Sequence, residues 1–315
     1  MHKHSPDFGG MLIEAAICAT MSSGKSTILN ALIGNNFIPS SNRACTAKII
    51  SIENDITQNE IYGSRLMKDG QIFCEEISNP ETLLNWNDDI DIVQIYLAAK
   101  FQNLNCQFTI HDTPGTNYSR DLTHKKITQN FLKQYPLDLI IFVINAEHSG
   151  TVDEKDLLLW IKTEVIDKMG IDIIFLVNKM DSIDFDCEDL YENLDSTKNH
   201  LINLGYSSPL IIPISSKAAL LFRMVLNHKQ LTRRELINFK ALYLYFMREN
   251  FELIKYTNSF IDIDMNIDIS GTICIDEENY KKQDLYYVLQ KTGINVLEEV
   301  IKQKAGGMMN EESLS

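Results

Sequence analysis

A chain of 315 residues with 44% hydrophobic content has room for one large domain or two small ones, and no uncharged apolar run of about 18 residues is present to span a membrane. The 29 basic against 43 acidic residues leave a net charge of −14, which disfavours broad contact with nucleic acid or anionic lipid but still allows a local cationic pocket. Six scattered cysteines form no CxxC pair and the polar N-terminus carries no secretory pattern, so a zinc site and export are not indicated and a reduced cytoplasmic protein is expected.

Residues 1–10 read as a tail. Met11 to Ala19 predicts the first strand and Lys25 to Ile33 the first helix. Residues from about 50 to 92 are rich in Asn, Asp and Glu and read as an insertion. Val93–Leu97 and Gln107–Ile110 then predict a neighbouring strand pair. Leu137–Asn145 and Ile171–Asn178 are near-continuous β-branched runs suited to strands buried on both faces, and Leu210–Ser215 is a shorter one. Between the first two, Thr151 and Glu154 have capping-box spacing ahead of Leu157, Leu158 and Ile161. A second insertion covers about 221–285, helical over Arg223–Lys255 and then alternating through Ile261-Asp262-Ile263-Asp264-Met265. That alternation reads as a solvated strand face; a calcium loop is the other reading, but the EF-hand spacing and its central Gly are missing. A last helix is predicted over Ile294–Gln303, and residues 304–315 read as a disordered tail. The histidines His2, His4, His124 and His148 read as surface residues. The alternation predicts an α/β fold with a mostly parallel central sheet flanked by helices, occupying residues 11–303.

Four short elements carry the chemistry. Ser22-Ser23-Gly24-Lys25-Ser26-Thr27 follows a predicted strand and opens a predicted helix, the setting of a phosphate-binding loop. Unsatisfied N–H groups at the helix start bind phosphate oxygens, Lys25 adds a mobile positive charge, and the Ser26 hydroxyl suits magnesium. The full pattern would begin with Gly at position 19, where this chain has Ala19; Ala fits there if the position is β-like. His111-Asp112-Thr113-Pro114-Gly115 ends a strand, placing Asp112 to hold magnesium through water and Gly115 near the γ-phosphate. Asn178-Lys179-Met180-Asp181 ends another. The Asp181 carboxylate accepts from both guanine N1–H and its exocyclic amine, which adenine cannot match. Asn178 is expected to tie this loop to the phosphate loop and the Lys179 stem to pack over the base. Ser215-Ser216-Lys217 follows the last strand, with backbone N–H groups for guanine O6. All four stand in the required order at the C-terminal ends of predicted strands, where open α/β sheets bind ligands.

Together these residues resemble the P-loop GTPases of the TRAFAC class, and within them the dynamin family, especially its bacterial members. The resemblance is carried by Met21 to Gly34, Phe37-Ile38-Pro39, Ala44-Cys45-Thr46-Ala47 and Lys291 to Glu299, and spans about residues 10–303. It implies hydrolysis of GTP to GDP and phosphate with Mg2+. It makes Ser22 the residue that helps position the attacking water and Thr46 the switch residue completing the metal shell, beside Ser26 and Asp112. Thr116, not Gln, follows the Asp-Thr-Pro-Gly element, and Met21 stands where eukaryotic dynamins have Gln. It further implies a homodimer through the nucleotide face and a separate helical-bundle or membrane-associated partner, hence a cytoplasmic protein peripheral to membrane through that partner. A very slow or non-hydrolysing GTP-binding switch is the alternative. A ribosome- or tRNA-directed GTPase of the Era or TrmE type is disfavoured by the acidic charge, and no nucleic-acid partner is expected.

Overall fold

The β-branched runs that read as strands covered on both faces form one end of a nine-stranded sheet. In the computed structural model, which describes residues 11–39, 48–57, 60–115, 122–183, 190–248, 252–257 and 269–306, β1 (Ile13–Ala19) leads into α1 (Lys25–Ile33). Next come β2 (Ile50–Asn54), β3 (Tyr62–Met67), β4 (Ile72–Glu76), α2 (Pro80–Asp88), β5 (Ile92–Ala99), β6 (Phe108–Asp112), α3 (Leu122–Gln134) and β7 (Leu139–Asn145). The chain continues through α4 (Val152–Ile161), a π-helical turn at Lys162–Ile166, α5 (Asp167–Met169), β8 (Asp172–Asn178), α6 (Leu190–Asn203), β9 (Leu210–Ile214) and α7 (Ser216–Leu226). It closes with α8 (Arg233–Phe246), the hairpin β10 (Thr272–Ile275) and β11 (Glu278–Lys281), α9 (Lys282–Lys291) and α10 (Ile294–Ala305). The switch candidate Thr46, Thr116 and the Ile261–Met265 alternation lie outside the described residues.

Strand order is β4-β3-β5-β2-β6-β1-β7-β8-β9, with β6, β1, β7, β8 and β9 mutually parallel. Every residue of β7 and of β9 is buried, which is why both read as unbroken apolar runs.

Two expectations are corrected. The predicted pair over Val93–Leu97 and Gln107–Ile110 is not a pair: β2 lies between β5 and β6, parallel to the former and antiparallel to the latter. The Asn54 side chain organises this crossing. Its Nδ2 donates to the Leu104 and Cys106 carbonyls at 2.9 Å each, and its Oδ1 accepts from Phe101 N at 3.0 Å. Residues 50–92, polar in sequence, supply three strands and a helix that widen the sheet. Their polarity has a simple cause, since β4 is an edge strand exposed along its whole length. The second correction is His124, which is buried.

The Thr151 hydroxyl caps α4 by accepting from Glu154 N, as the spacing predicts, but the Glu154 carboxylate reaches one residue further and accepts from Gly150 N at 2.9 Å. The far end of α1 is clamped by a buried network. Arg223 donates to Ala31 O at 2.6 Å and to Glu298 at 2.5 Å, and Asn103 donates to the same carboxylate at 3.2 Å. Burial pushes the Glu298 carboxyl up, and the Arg223 guanidinium opposes that shift. The pair is therefore a fixed joint between α1, α7 and α10 and not a surface decoration.

Gly293, between α9 and α10, has φ +81 and an added Cβ would stand 2.2 Å from Pro213 O. Gly293→Ala is expected to cost on the order of 2 kcal/mol through backbone strain and displacement of β9. Thermal unfolding of the variant checks it, as a midpoint lowered by several degrees.

Candidate functional site

The first element is built by the turn between β1 and α1. Ala19 is the last residue of β1, paired with Val143 and buried, so the position that lacks the motif's glycine is indeed strand-like. The left-handed backbone occurs later, at Ser22 (φ 61) and Gly24 (φ 95). Ser23 is buried and its hydroxyl donates to Thr20 O at 3.0 Å, pinning the loop from inside, while Ser22 is exposed at its tip. No glycine substitute fits at 24, where a Cβ would lie 2.3 Å from Asn178 Nδ2. Lys25, Ser26 and Thr27 form the first turn of α1, whose N-terminal N–H groups have no side-chain cap and face the space above the sheet. Cys18 underneath is fully buried, and burial foremost pushes its thiol up to about 12, so it is inert.

The second element joins the first. Thr113 donates its hydroxyl proton to Ile17 O at 2.8 Å, tying the end of β6 to β1, and Thr128 of α3 donates to Pro114 O at 3.1 Å. Asp112 is fully buried at the strand end. A Cβ on Gly115 would stand 3.2 Å from the Lys25 ammonium and 3.5 Å from Met21 Cα, so the two loops share one cleft.

The third and fourth elements close the other end. Asn178 is buried and bridges three loops: its Nδ2 donates to Ser23 O at 2.9 Å, and its Oδ1 accepts from Ser216 N at 3.1 Å. The expected tie between this loop and the β1–α1 turn is present. Ser215 donates to Asp181 Oδ1 at 2.5 Å and caps α7 by accepting from Ala218 N. One carboxylate oxygen of Asp181 is thereby fixed. Lys179 has φ 66 and its ammonium donates to Glu147 Oε2 at 2.7 Å, reaching toward the end of β7. That contact holds the Glu147 carboxyl below its ordinary range. Lys217 is exposed on the first turn of α7.

The structure thus brings together Ser22 to Thr27, Asp112, Gly115, Asn178, Lys179, Asp181, Ser215 and Ser216 along the C-terminal ends of β1, β6, β8 and β9. Sequence reasoning missed three supports. Glu147 lies in a 3-10 turn (Ala146–His148) beyond β7, with no motif to mark it. Thr292 O accepts from Ser215 N at 2.9 Å, so the α9–α10 junction backs the fourth element. His111 Nδ1 lies 2.9 Å from Ser51 Oγ and its Nε2 2.8 Å from Glu14 Oε2, which braces β2, β6 and β1 directly behind Asp112.

The family model described as the dynamin family matches residues 16–180. Over 253 residues the chain is 25% identical to an uncharacterised protein encoded in the xynA 3′ region of Caldicellulosiruptor sp. (strain Rt8B.4), covering 76% of this chain and 58% of that protein. It is 28% identical over 206 residues to a probable transmembrane GTPase, FZO-like and chloroplastic, of Arabidopsis thaliana, covering 65% of this chain and 19% of that one. The chain therefore spans less than two thirds of the length of either curated relative. Among solved structures it resembles two from an oligomerised bacterial dynamin pair that senses and tethers membranes over long range. One has a TM-score of 0.52 at 20% identity, covering 76% of this chain and 46% of the other; the second has 0.50 at 19%, covering 74% and 38%.

Proposed function

Because this chain belongs to the dynamin family, we propose that it binds GTP in the cleft between α1 and Asp181 and hydrolyses it to GDP and phosphate. The observation that carries the reading is the Asn178 bridge, which fastens the phosphate end and the base end of the cleft to each other. The β- and γ-phosphates lie on the α1 N-terminal amides with Lys25 beside Gly115. Guanine lies against Asp181, with the Lys217 N–H at O6, since the Ser215 and Ser216 N–H groups already donate to Thr292 O and Asn178 Oδ1.

The donors suit magnesium. Ser26 offers a hydroxyl in the first turn of α1 and Asp112 a buried carboxylate, both hard oxygen ligands. Among the described residues no group of three or more His, Cys, Asp or Glu forms a cage, so phosphate and water would supply most of the ion's ligands. Thr46 is proposed as the further hydroxyl ligand. When bound, the ion neutralises charge developing on the phosphate oxygens.

The protein's own groups do the rest by positioning. Water attacks the γ-phosphorus, the bond to the β–γ bridging oxygen breaks, and negative charge gathers on that oxygen and the transferred group, facing Lys25 and the loop amides. Ser22, exposed in that loop, is the residue we propose orients the water. Ser22→Ala is therefore expected to slow single-turnover hydrolysis about tenfold, the worth of one transition-state hydrogen bond, with a near-unchanged Kd for GTP. An equal loss in affinity would make Ser22 a binding residue only.

We further propose that two copies pair across the nucleotide face and that a helical or membrane-associated partner, or further polypeptide as in the longer relatives, completes the working unit. Among the described residues no helix is long and apolar enough to cross a membrane. The test is phosphate release from GTP and from ATP at several protein concentrations. Release from GTP alone, with specific activity rising with concentration, supports both hydrolysis and pairing. Constant specific activity argues against pairing. No phosphate over hours leaves only the GTP-bound switch, which the strand-like Ala19 gives no reason to prefer.

A further inference from the structure

The loop after β8 reaches in two directions. Asp181 turns toward β9, where Ser215 holds one of its oxygens. Lys179 turns toward β7, the neighbour on the other side, where its ammonium meets Glu147. On the guanine-site reading the planar base lies between these anchors, with the aliphatic stem of Lys179 as one wall. A free lysine stem samples many rotamers, and ordering it on binding costs entropy. Here the ordering is done beforehand. Lys179 starts from a left-handed backbone conformation, and Glu147 is itself fixed by the turn in which its N–H donates to Asn145 Oδ1 at 3.1 Å. Asn145 is the register partner of Asn178 on β8, so the acceptor and the lysine are carried by paired strands.

We propose that Glu147 is a positioning residue for the guanine base: by holding the Lys179 ammonium over the end of β7, it stretches the lysine stem flat along the slot that Asp181 and Ser215 close. This inference rests on the guanine-site reading above. The pair is about one-third exposed, at 31% for Lys179 and 37% for Glu147, so its contribution is modest and sensitive to salt.

Titration of the full chain with GDP and with ADP tests it, using wild type, Glu147→Gln, Lys179→Met and the double variant at low and high salt. Glu147→Gln is expected to weaken GDP about two- to fivefold at low salt. The loss should shrink at high salt and be absent when Lys179 is already Met, because the proposed route runs through the lysine and not through the Ser182 hydroxyl that Glu147 also contacts. A Kd for GDP that is unchanged or tighter in Glu147→Gln, or an equal loss in the Lys179→Met background, overturns the inference alone. No preference of the wild-type chain for GDP over ADP overturns the guanine-site reading and the inference together.

Discussion

Lys25→Ala is expected to remove tight binding of GTP and GDP, weakening each by about 30- to 1,000-fold, or about 2–4 kcal/mol. The backbone amides of the loop survive the change, since Gly24 and Ser22 still set its left-handed turns. What disappears is the side-chain cation that stands beside Gly115, where the terminal phosphate is proposed to lie. Several phosphate charges then share one cleft with Asp112 without the Lys25 ammonium to oppose them. Because Lys25 is only half-buried and lies at the start of α1, the fold should tolerate alanine. An unchanged thermal midpoint alongside lost affinity separates a site effect from unfolding. Retained affinity would remove the β1–α1 turn from the reading.

Asp181→Asn is expected to lower affinity for guanine nucleotides by about two to three orders of magnitude, because two charge-assisted hydrogen bonds to the base become at most one neutral bond. The amide oxygen of Asn can still accept from Ser215, so the loop should keep its shape. The Asn side chain offers one acceptor and one donor. That pattern matches xanthine, which has N1–H beside a carbonyl at the neighbouring carbon. Competition among GDP, XDP and ADP should therefore show the variant moving its preference from GDP to XDP. An unchanged ranking would mean that Asp181 does not read the base.

How much of this could be seen beforehand depended on whether a feature is local. The bounds of α1 and the strands β7, β8 and β9 were legible because burial on both faces leaves an unbroken β-branched run, and because a turn from strand to phosphate loop is written in consecutive residues. The juxtaposition of Asn178 with Ser23 followed from the same logic, since β1 and β8 flank β7 in one parallel sheet and their C-terminal loops emerge at the same edge. Strands β2 to β4 were hidden. β4 faces solvent at a sheet edge, and β2, though buried, is only five residues long and carries Ser, Glu and Asn among its two isoleucines. The place of β2 between β5 and β6 depends on hydrogen bonds made by Asn54 to residues some 50 positions away, which no local pattern announces. Glu147 and Thr292 belong to that class as well. Each matters through one contact to a distant segment, and nothing in the residues around it marks the contact.

The charge of −14 now has a local counterpoint. Lys25 and Lys179 put cations at the proposed phosphate and base ends of one cleft in an otherwise acidic chain, and Glu147 neutralises the second before a nucleotide arrives. The chain's own groups thus favour a bound anion at the α1 end and a neutral, hydrogen-bonding base at the Asp181 end.

The most direct measurement is an equilibrium titration of the wild-type chain with GDP and with ADP in magnesium buffer. A single cleft that grips phosphates at the start of α1 and selects the base through Asp181 should bind GDP with a Kd of about 10 μM or tighter and ADP at least about 100-fold more weakly. Equal affinity for the two, or no binding of GDP at all, would contradict it.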